Sequence, residues 1–442
     1  MNEKETGKGP GRGSSLRAYL TVLGGSLSLF CSVGFLNGFG VFQQYYKAGM
    51  LQNMSESDIS WIGSISIFLL NGVAPVTGIL VDRLGPTWLL GIGSITMLVS
   101  VFMTSLGTQY YQFFLSQGVL LGIGTSLITW PPLAVVSRSL PQHRGLALGI
   151  VVSGSSLGGV VWPIMLERLL GHDNLGFGWV MRIVGFTMLP LLVIACVTVR
   201  EPLTAPAPPK PAPQPNSSMS DSDLSGSMET ESAADAPPVG RPKVQRSDMW
   251  ALLKTPTFIF LTIGLAFTSI GLFIPLFYMS SYAFEHGVSA ELSFYLISIL
   301  NAASLFGRII TGHLADRYGH FNMIILSALV STITAFSWTA AKNLEGMIAI
   351  SLVYGYSSGS ILALQNACVG KIAGSHMQGT AMGMMIGCVA VTSLIGAPVG
   401  GALVGKYGYL SISMFTGATL LAGSILLSVS RLKLNKDPRA AY

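Results

Sequence analysis

Long apolar stretches alternate with short polar turns along most of the chain. We count twelve stretches with the roughly 20 mostly apolar residues that a helix needs to cross a bilayer. Because lipid offers no hydrogen-bond partners to an open backbone, each stretch is predicted to be a helix. The predicted segments are residues 18–46, 58–81, 87–106, 110–137, 145–169, 179–199, 256–282, 291–315, 322–341, 346–370, 378–402 and 409–430.

One long polar interruption divides this pattern into two six-helix halves. Residues 200–249 are rich in Pro, Ser and acidic residues, a composition that cannot bury a core and that predicts a disordered linker. The predicted fold class is an all-α polytopic membrane protein with 12 transmembrane helices. Its predicted parts are a disordered cytosolic N-terminus (1–17), a first half (18–199), the cytosolic linker (200–249), a second half (250–431) and a cytosolic tail (432–442).

Composition supports a membrane protein and excludes several other classes. The chain is 50% hydrophobic and only 10% charged, whereas soluble domains carry about 25% charged residues. No basic run is interleaved with aromatic residues, so no nucleic-acid partner is expected. A match to the hydrolase pattern GxSxG at residues 154–158 lies inside a predicted spanning helix instead of on a strand-to-helix turn. Because the sequence also has no polar catalytic cluster, no clustered metal ligands and no Walker pattern, we predict no enzyme activity, no metal and no cofactor.

The distribution of Lys and Arg predicts the orientation in the membrane. Of the 25 Lys and Arg residues, 19 lie on the side of the N-terminus, five lie on the other side, and one, Arg308, lies within a helix. Positive residues collect on the cytosolic side, so both termini and the linker are predicted to be cytosolic, with the plasma membrane as the expected location. Asn53, in an Asn-Met-Ser sequon of the first outside loop, is then a predicted N-glycosylation site.

One charged turn occurs twice. The stretch "GILVDRLG" at 78–85 recurs about half the chain later as "GHLADRYG" at 312–319. We call the spacing from Gly78 to Gly312 the repeat offset. Each copy lies at the predicted cytosolic end of the second helix of its half. An Asp there can accept hydrogen bonds from the start of a neighbouring helix or pair with an Arg, and an Arg can reach lipid headgroups. The pattern predicts a latch between the halves, formed by Asp82, Arg83, Asp316 and Arg317.

These features resemble the major facilitator superfamily, over about residues 17–431. The stretches "GFLNGFGVFQQYY" (34–46) and "LNAASLFGRIITGHLADRYGHFN" (300–322) are similar to the monocarboxylate-porter family, especially its fungal branch. The resemblance implies two halves that rock about a site near mid-membrane. Asn37 and Ser304 stand where animal lactate-type carriers have a Lys and an Asp, so two groups tied to proton coupling in those carriers are absent.

Arg308 is the one clearly intramembrane charge in the sequence. A charge at a helix centre costs about 2.5–3.5 kcal/mol on insertion scales, and no acidic residue lies deep in any predicted helix to offset it. A substrate carboxylate can fill this role through paired hydrogen bonds; the alternative is a structural Arg bonded to helix carbonyls or water. The matching position in the first half is Ala74.

Other polar residues in predicted helices 1, 4, 7 and 10 are candidates for substrate contact, because these helices line the cavity in that superfamily. Helix–helix contact is the alternative for each of them. The candidates are Asn37, Trp130, Tyr278, Tyr282, Tyr354, Gln365 and Asn366.

The sequence therefore predicts a secondary transporter of a small organic anion or carboxylate-bearing metabolite that works by alternating access. Efflux of a secondary metabolite is the leading hypothesis, and proton-linked uptake of a short monocarboxylate or a non-transporting membrane sensor are the alternatives. The expected partners are the organic anion, the lipid bilayer and protons as candidate coupling ions, with the monomer as the functional unit.

Overall fold

The computed structural model describes residues 12–171, 175–201 and 246–434, and all regular secondary structure in these ranges is helical. This confirms the predicted fold class. The helices of the first half are α1 (Leu16–Met50), α2 (Glu56–Gly72 and Ala74–Leu84), α3 (Pro86–Thr104), α4 (Tyr110–Ser139), α5 (Arg144–Leu170) and α6 (Phe177–Thr198). Those of the second half are α7 (Pro256–Glu285), α8 (Ala290–Tyr318), α9 (His320–Ala340), α10 (Leu344–Ile372), α11 (Gln378–Tyr407) and α12 (Tyr409–Leu434).

Most of these helices are long and apolar enough to cross a membrane. Within the described ranges, ten single helices meet this condition, and α2, which is bent by 41°, makes an eleventh span. In α11 the apolar stretch Gln378–Thr392 is shorter. Large apolar side chains such as Ile95 and Ile333 are 65% and 69% exposed on the outside of the bundle, which is where lipid contacts a spanning helix. The protein is therefore a multi-pass membrane protein.

The predicted disordered regions lie mostly outside the described residues. The predictions for residues 1–11, 202–245 and 435–442 cannot be compared with the structure for that reason. At the edges that are described, helical structure begins at Arg12, just before the apolar span α1, and a short helix, Arg246–Lys254, precedes α7. Helical structure thus extends a few residues into each region that the composition assigned to the tails and the linker.

Two spanning helices are broken near a proline. The break in α2 falls at Val73 and the break in α7 at Phe273, and Pro75 and Pro275 stand in the first turn of the helix that follows. A proline has no N–H to donate and its ring clashes with the preceding turn, so the helix bends there. The bends allow the outer part of each helix to take a different direction from its inner part.

Glycines bring the two halves into backbone contact at two crossings, α2 with α11 and α5 with α8. A Cβ on Gly78 would overlap the carbonyl of Gly379, and a Cβ on Gly145 would overlap the carbonyl of Gly312. The two contacts are related by the repeat offset, the same spacing that relates the charged turns. The halves therefore pack by a repeated small-residue contact, as membrane helices commonly do.

Both crossings lie toward one end of the bundle, which we call the linker end. There the chain leaves α6 at Glu201 and returns at Arg246. The opposite end carries the α1–α2 turn with Asn53, whose side chain is exposed. The candidate functional groups are distributed between the linker end and the middle of the bundle.

Candidate functional site

Asp82 of the first half caps a helix of the second half. Its carboxylate accepts hydrogen bonds from the backbone N–H groups of Gly379 (3.1 Å) and Thr380 (2.6 Å) and from the Thr380 hydroxyl (2.8 Å). These residues form the first turn of α11, where free N–H groups and the helix dipole favour a negative charge. Asp82 is buried, so its contacts are shielded from water.

Asp316 of the second half makes the reciprocal contact with the first half. Its carboxylate accepts hydrogen bonds from the N–H groups of Gly145 (2.7 Å) and Leu146 (2.9 Å), in the first turn of α5. The repeated turns therefore lie at equivalent places, and each half provides the acidic cap for a helix of the other. Together the two caps connect the halves at the linker end.

The two Arg residues of the repeated turns do not pair with these carboxylates. Arg83 and Arg317 are exposed, and the Arg317 guanidinium lies 5.6 Å from the ring centre of Tyr318. The basic partner of Asp82 is instead Arg138, at 3.3 Å, which also lies 3.4 Å from Glu201. Sequence reasoning missed Arg138 because it lies on α4, far from the repeat.

Asp316 has a different basic neighbour, His320, whose Nε2 lies 3.2 Å from the carboxylate. The helix starts that receive the two caps were also missed. A sequence signal for them exists, because "RGLALG" at 144–149 and "QGTAMG" at 378–383 are separated by the same repeat offset. Aligning the halves by that offset marks these two helix starts as equivalent, although only the packing of the halves shows that each receives an Asp.

Arg308 lies in the α5–α8 crossing and is only 6% exposed. Its Nη1 donates hydrogen bonds to the Val152 carbonyl and to the Ser155 hydroxyl, each at 2.7 Å, and both acceptors are on α5 of the other half. Within the described part of the chain no carboxylate pairs with Arg308, and its buried Nε has no hydrogen-bond partner there. In this conformation Arg308 is thus bonded to helix α5, with donor capacity left over.

The equivalent crossing shows that packing alone does not need an Arg. On one side Gly149 lies against the carbonyl of Arg308, and on the other Gly383 lies against the carbonyl of Ala74. The members of these two pairs are again related by the repeat offset. The same backbone contact forms with an alanine at one site and an arginine at the other.

Asn37 lies close to the same stretch of α5. It is exposed, and its amide nitrogen would lie 3.0 Å from a Cβ built on Gly159. Gly159 follows Ser155 by four residues, which places both on one helix face about 6 Å apart along the axis. Arg308 and Asn37 therefore lie near one face of α5.

Two further candidates, Gln365 and Asn366, are buried on α10. The Asn366 Oδ1 is buried without a hydrogen-bond partner among the described residues. Helix α10 packs along α8 through Gly359, which lies against the backbone of Ser304. In this conformation the Asn366 acceptor therefore makes no hydrogen bond to another described residue.

The remaining aromatic candidates have partners within the protein. Trp130 donates to the Leu70 carbonyl (2.9 Å) and Tyr354 to the Leu272 carbonyl (2.9 Å), both near the helix breaks of α2 and α7. Tyr282 donates to the Ala341 carbonyl (3.0 Å) inside an aromatic cluster with Trp338 and Tyr409. Tyr278 packs against Gly400 and Gly401 of α11. These contacts hold helices together in this conformation.

A helical bundle of two equivalent halves with reciprocal caps defines a class of membrane carriers. The family model described as Major Facilitator Superfamily matches residues 22–389. The chain belongs to this superfamily, as its sequence resemblance predicted.

Curated relatives cover nearly the whole chain. An MFS-type transporter of Aspergillus fumigatus is 52% identical over 97% of this chain and 95% of its own length. The agnestins efflux protein of Paecilomyces divaricatus is 41% identical, over 95% of this chain and 88% of its own length. The aspyridones efflux protein of Emericella nidulans is 36% identical, over 93% of this chain and 77% of its own length. The narrower resemblance to the monocarboxylate-porter family stays a prediction.

Solved structures share the fold at low sequence identity. The human organic anion transporter TETRAN matches with a TM-score of 0.69 at 14% identity, covering 95% of this chain and all of its own (100%). The Escherichia coli fucose:proton symporter matches with a TM-score of 0.67 at 13% identity, covering 93% of this chain and 98% of its own. These matches support the fold alone.

Proposed function

We propose that the protein is a secondary transporter that exports a small organic anion, or a metabolite bearing a carboxylate, by alternating access. Arg308 binds the anionic group, and Asn37 contributes a hydrogen bond from the other half. The two halves rock against each other, and the caps made by Asp82 and Asp316 close the linker end in one of the two states. Arg83 and Arg317 interact with lipid headgroups at that end.

The observation that carries the proposal is the charge of Arg308 at the crossing of the halves, which no carboxylate among the described residues pairs. Burying a charge in a membrane helix costs about 2.5–3.5 kcal/mol on insertion scales, and the equivalent crossing forms with Ala74. Since packing does not require the charge, we infer that it is kept for an anionic ligand. Arg is suited to this because its planar fork binds carboxylates in pairs of hydrogen bonds.

Export is favoured by the relatives named as efflux proteins and by the polar, uncharged Asn37 and Ser304. We further propose that the linker end is cytosolic, that the plasma membrane is the site of action and that the monomer is the working unit. Uptake of a short monocarboxylate is the second candidate, favoured by the resemblance of residues 300–322 to monocarboxylate porters.

The test is the efflux of radiolabelled carboxylates from loaded yeast cells that do or do not produce the protein. Benzoate is the first probe, followed by larger aromatic acids, at two external pH values. We expect Arg308→Ala to reduce efflux at least about tenfold, Arg308→Lys to keep part of it, and Arg182→Ala, an Arg stacked on Trp179 at 4.9 Å, to behave as the wild type.

Two results would count against the proposal. If Arg308→Ala transports normally at every substrate concentration, the anion site is elsewhere. If accumulation inside the cells rises with the protein present, the direction is uptake. If the efflux rate does not depend on the pH gradient, protons are not the coupling ion, and this result does not bear on the anion site at Arg308.

A further inference from the structure

The bonds of Arg308 connect the candidate anion site to the state of the linker end. Arg308 and its acceptors, Val152 and Ser155, belong to opposite halves, and the cap made by Asp316 lies eight residues further along α8, about 12 Å away. When α5 and α8 separate at the linker end, the contacts of Arg308 with α5 have to break. The guanidinium then loses its two acceptors.

We propose that Arg308 is a state-dependent anion ligand, with Ser155 as the positioning residue that competes with the substrate. When the linker end is closed, α5 holds the guanidinium and the affinity for an anion is low. When the linker end opens, the guanidinium is released to a substrate carboxylate and the affinity is high. This inference rests on the proposed function and adds to it a built-in competitor, which favours loading at the linker end and release at the opposite end.

The local geometry of Ser155 fits this role. Its hydroxyl donates to the Val152 carbonyl at 2.9 Å, which leaves the oxygen lone pairs to accept from Arg308. The side chain is 4% exposed, so water does not weaken the contact. At the equivalent place in the second half, where the partner is Ala74, the residue is Val389. The acceptor thus occurs at the crossing that has the Arg.

The neighbouring Ser156 provides a matched control. It is also buried, at 1% exposure, and its hydroxyl has no hydrogen-bond partner among the described residues. Replacing either serine with alanine removes one oxygen from the same turn of α5. Only the loss at Ser155 removes an acceptor of Arg308.

The test is equilibrium binding of radiolabelled benzoate to the purified full-length protein, in a double-mutant cycle. We expect Ser155→Ala to raise the affinity about threefold to tenfold, because a bond to a charged group no longer competes. Asp316→Asn, which loosens the linker end, is expected to raise affinity as well. The variant with both changes is expected to gain little over Asp316→Asn alone, and Ser156→Ala is expected to bind as the wild type does.

A gain of affinity is a result that a purely structural role of Ser155 would not produce. The inference is overturned if Ser155→Ala binds benzoate as the wild type does or more weakly, if Ser156→Ala gains equally, or if the two gains add in full. It is overturned together with the proposed function if neither benzoate nor larger carboxylates bind, or if Arg308→Ala binds like the wild type. If Arg308→Ala loses affinity for benzoate as expected but Ser155→Ala gains none, the role of Ser155 is overturned and the proposed function is not.

Discussion

The guanidinium of Arg138 lies 3.3 Å from the carboxylate of Asp82, whereas the equivalent carboxylate of Asp316 has the imidazole of His320 as its neighbour, at 3.2 Å. The two caps thus use equivalent pairs of backbone donors and differ in their basic partner, and Asp82 also accepts from the Thr380 hydroxyl. The guanidinium of an Arg can give a carboxylate two parallel hydrogen bonds, whereas an imidazole nitrogen gives one. The cap at Asp82 therefore includes an Arg–carboxylate ion pair that the cap at Asp316 lacks.

This difference predicts unequal costs for neutralising the two caps. Asp82→Asn is expected to lower the free energy of unfolding by about 2–4 kcal/mol. The reason is that the half-buried Arg138 loses the charged partner Asp82 and keeps only Glu201 as an ion-pair partner. Asp316→Asn is expected to cost about 1–2 kcal/mol. Denaturation of the purified protein in detergent measures both. The exposed Arg83→Ala is the control, with an expected change within about 0.5 kcal/mol, and equal losses at the two Asp positions would contradict the prediction.

The glycine contacts predict a loss of transport without loss of the helices. Gly149→Ala places a methyl group against the carbonyl of Arg308, so we expect the linker end to close poorly and the efflux rate to fall at least about tenfold. Gly91, in α3, has open space around it. Gly91→Ala is expected to keep normal efflux, because alanine is the better helix former. Normal efflux by Gly149→Ala would show that close contact at this crossing is not needed.

Tyr354 is predicted to stabilise the fold more than it binds substrate. Its hydroxyl donates to the Leu272 carbonyl, next to the break in α7. Tyr354→Phe is expected to lower the free energy of unfolding by about 1–2 kcal/mol and to leave the KM for benzoate unchanged. Asn37→Ala, whose side chain is exposed beside α5, is expected to raise that KM about threefold or more. If the efflux assay shows a raised KM for Tyr354→Phe and an unchanged KM for Asn37→Ala, the substrate binds near α10 instead.

Asn53 offers a direct test of the membrane orientation. It lies exposed in the turn between α1 and α2, at the end opposite the linker. If the linker end is cytosolic, we expect the protein from fungal cells to lose apparent mass on treatment with an N-glycosidase. Asn53→Gln should abolish this shift and leave benzoate efflux unchanged. A shift that persists in the variant would assign the glycan to another site.

The pattern of apolar residues predicted the helices well because membrane insertion depends on local composition. Eleven of the spans follow from length and hydropathy alone. Pro275 is a bending point that the sequence itself suggests, whereas the break near Pro75 and the π-helical turns at Tyr46–Met50 and Phe114–Leu120 were not predicted. Such irregularities depend on neighbouring helices, as with the Tyr46 hydroxyl, which donates to Gln117 of the second π-helical turn at 2.6 Å.

The candidate site was predicted in part. Arg308 was predicted because a charge within an apolar stretch can be recognised from the sequence alone. The two Asp residues were predicted because the charged turn occurs twice in the chain. Their partners were not visible, because Gly379 is 297 residues from Asp82 and Ser155 is 153 residues from Arg308. Residues this far apart are brought together only when the two halves pack.

The sequence by itself determined that the chain crosses the membrane many times, that its halves are equivalent and that one buried charge breaks the equivalence. These properties follow from hydropathy and repetition, which act locally. The tertiary structure decided that each acidic cap reaches across to the other half, that Arg138 of α4 is the basic partner of Asp82, and that α5 holds Arg308. Those contacts depend on the distance and direction between helices, which glycine packing at the two crossings sets.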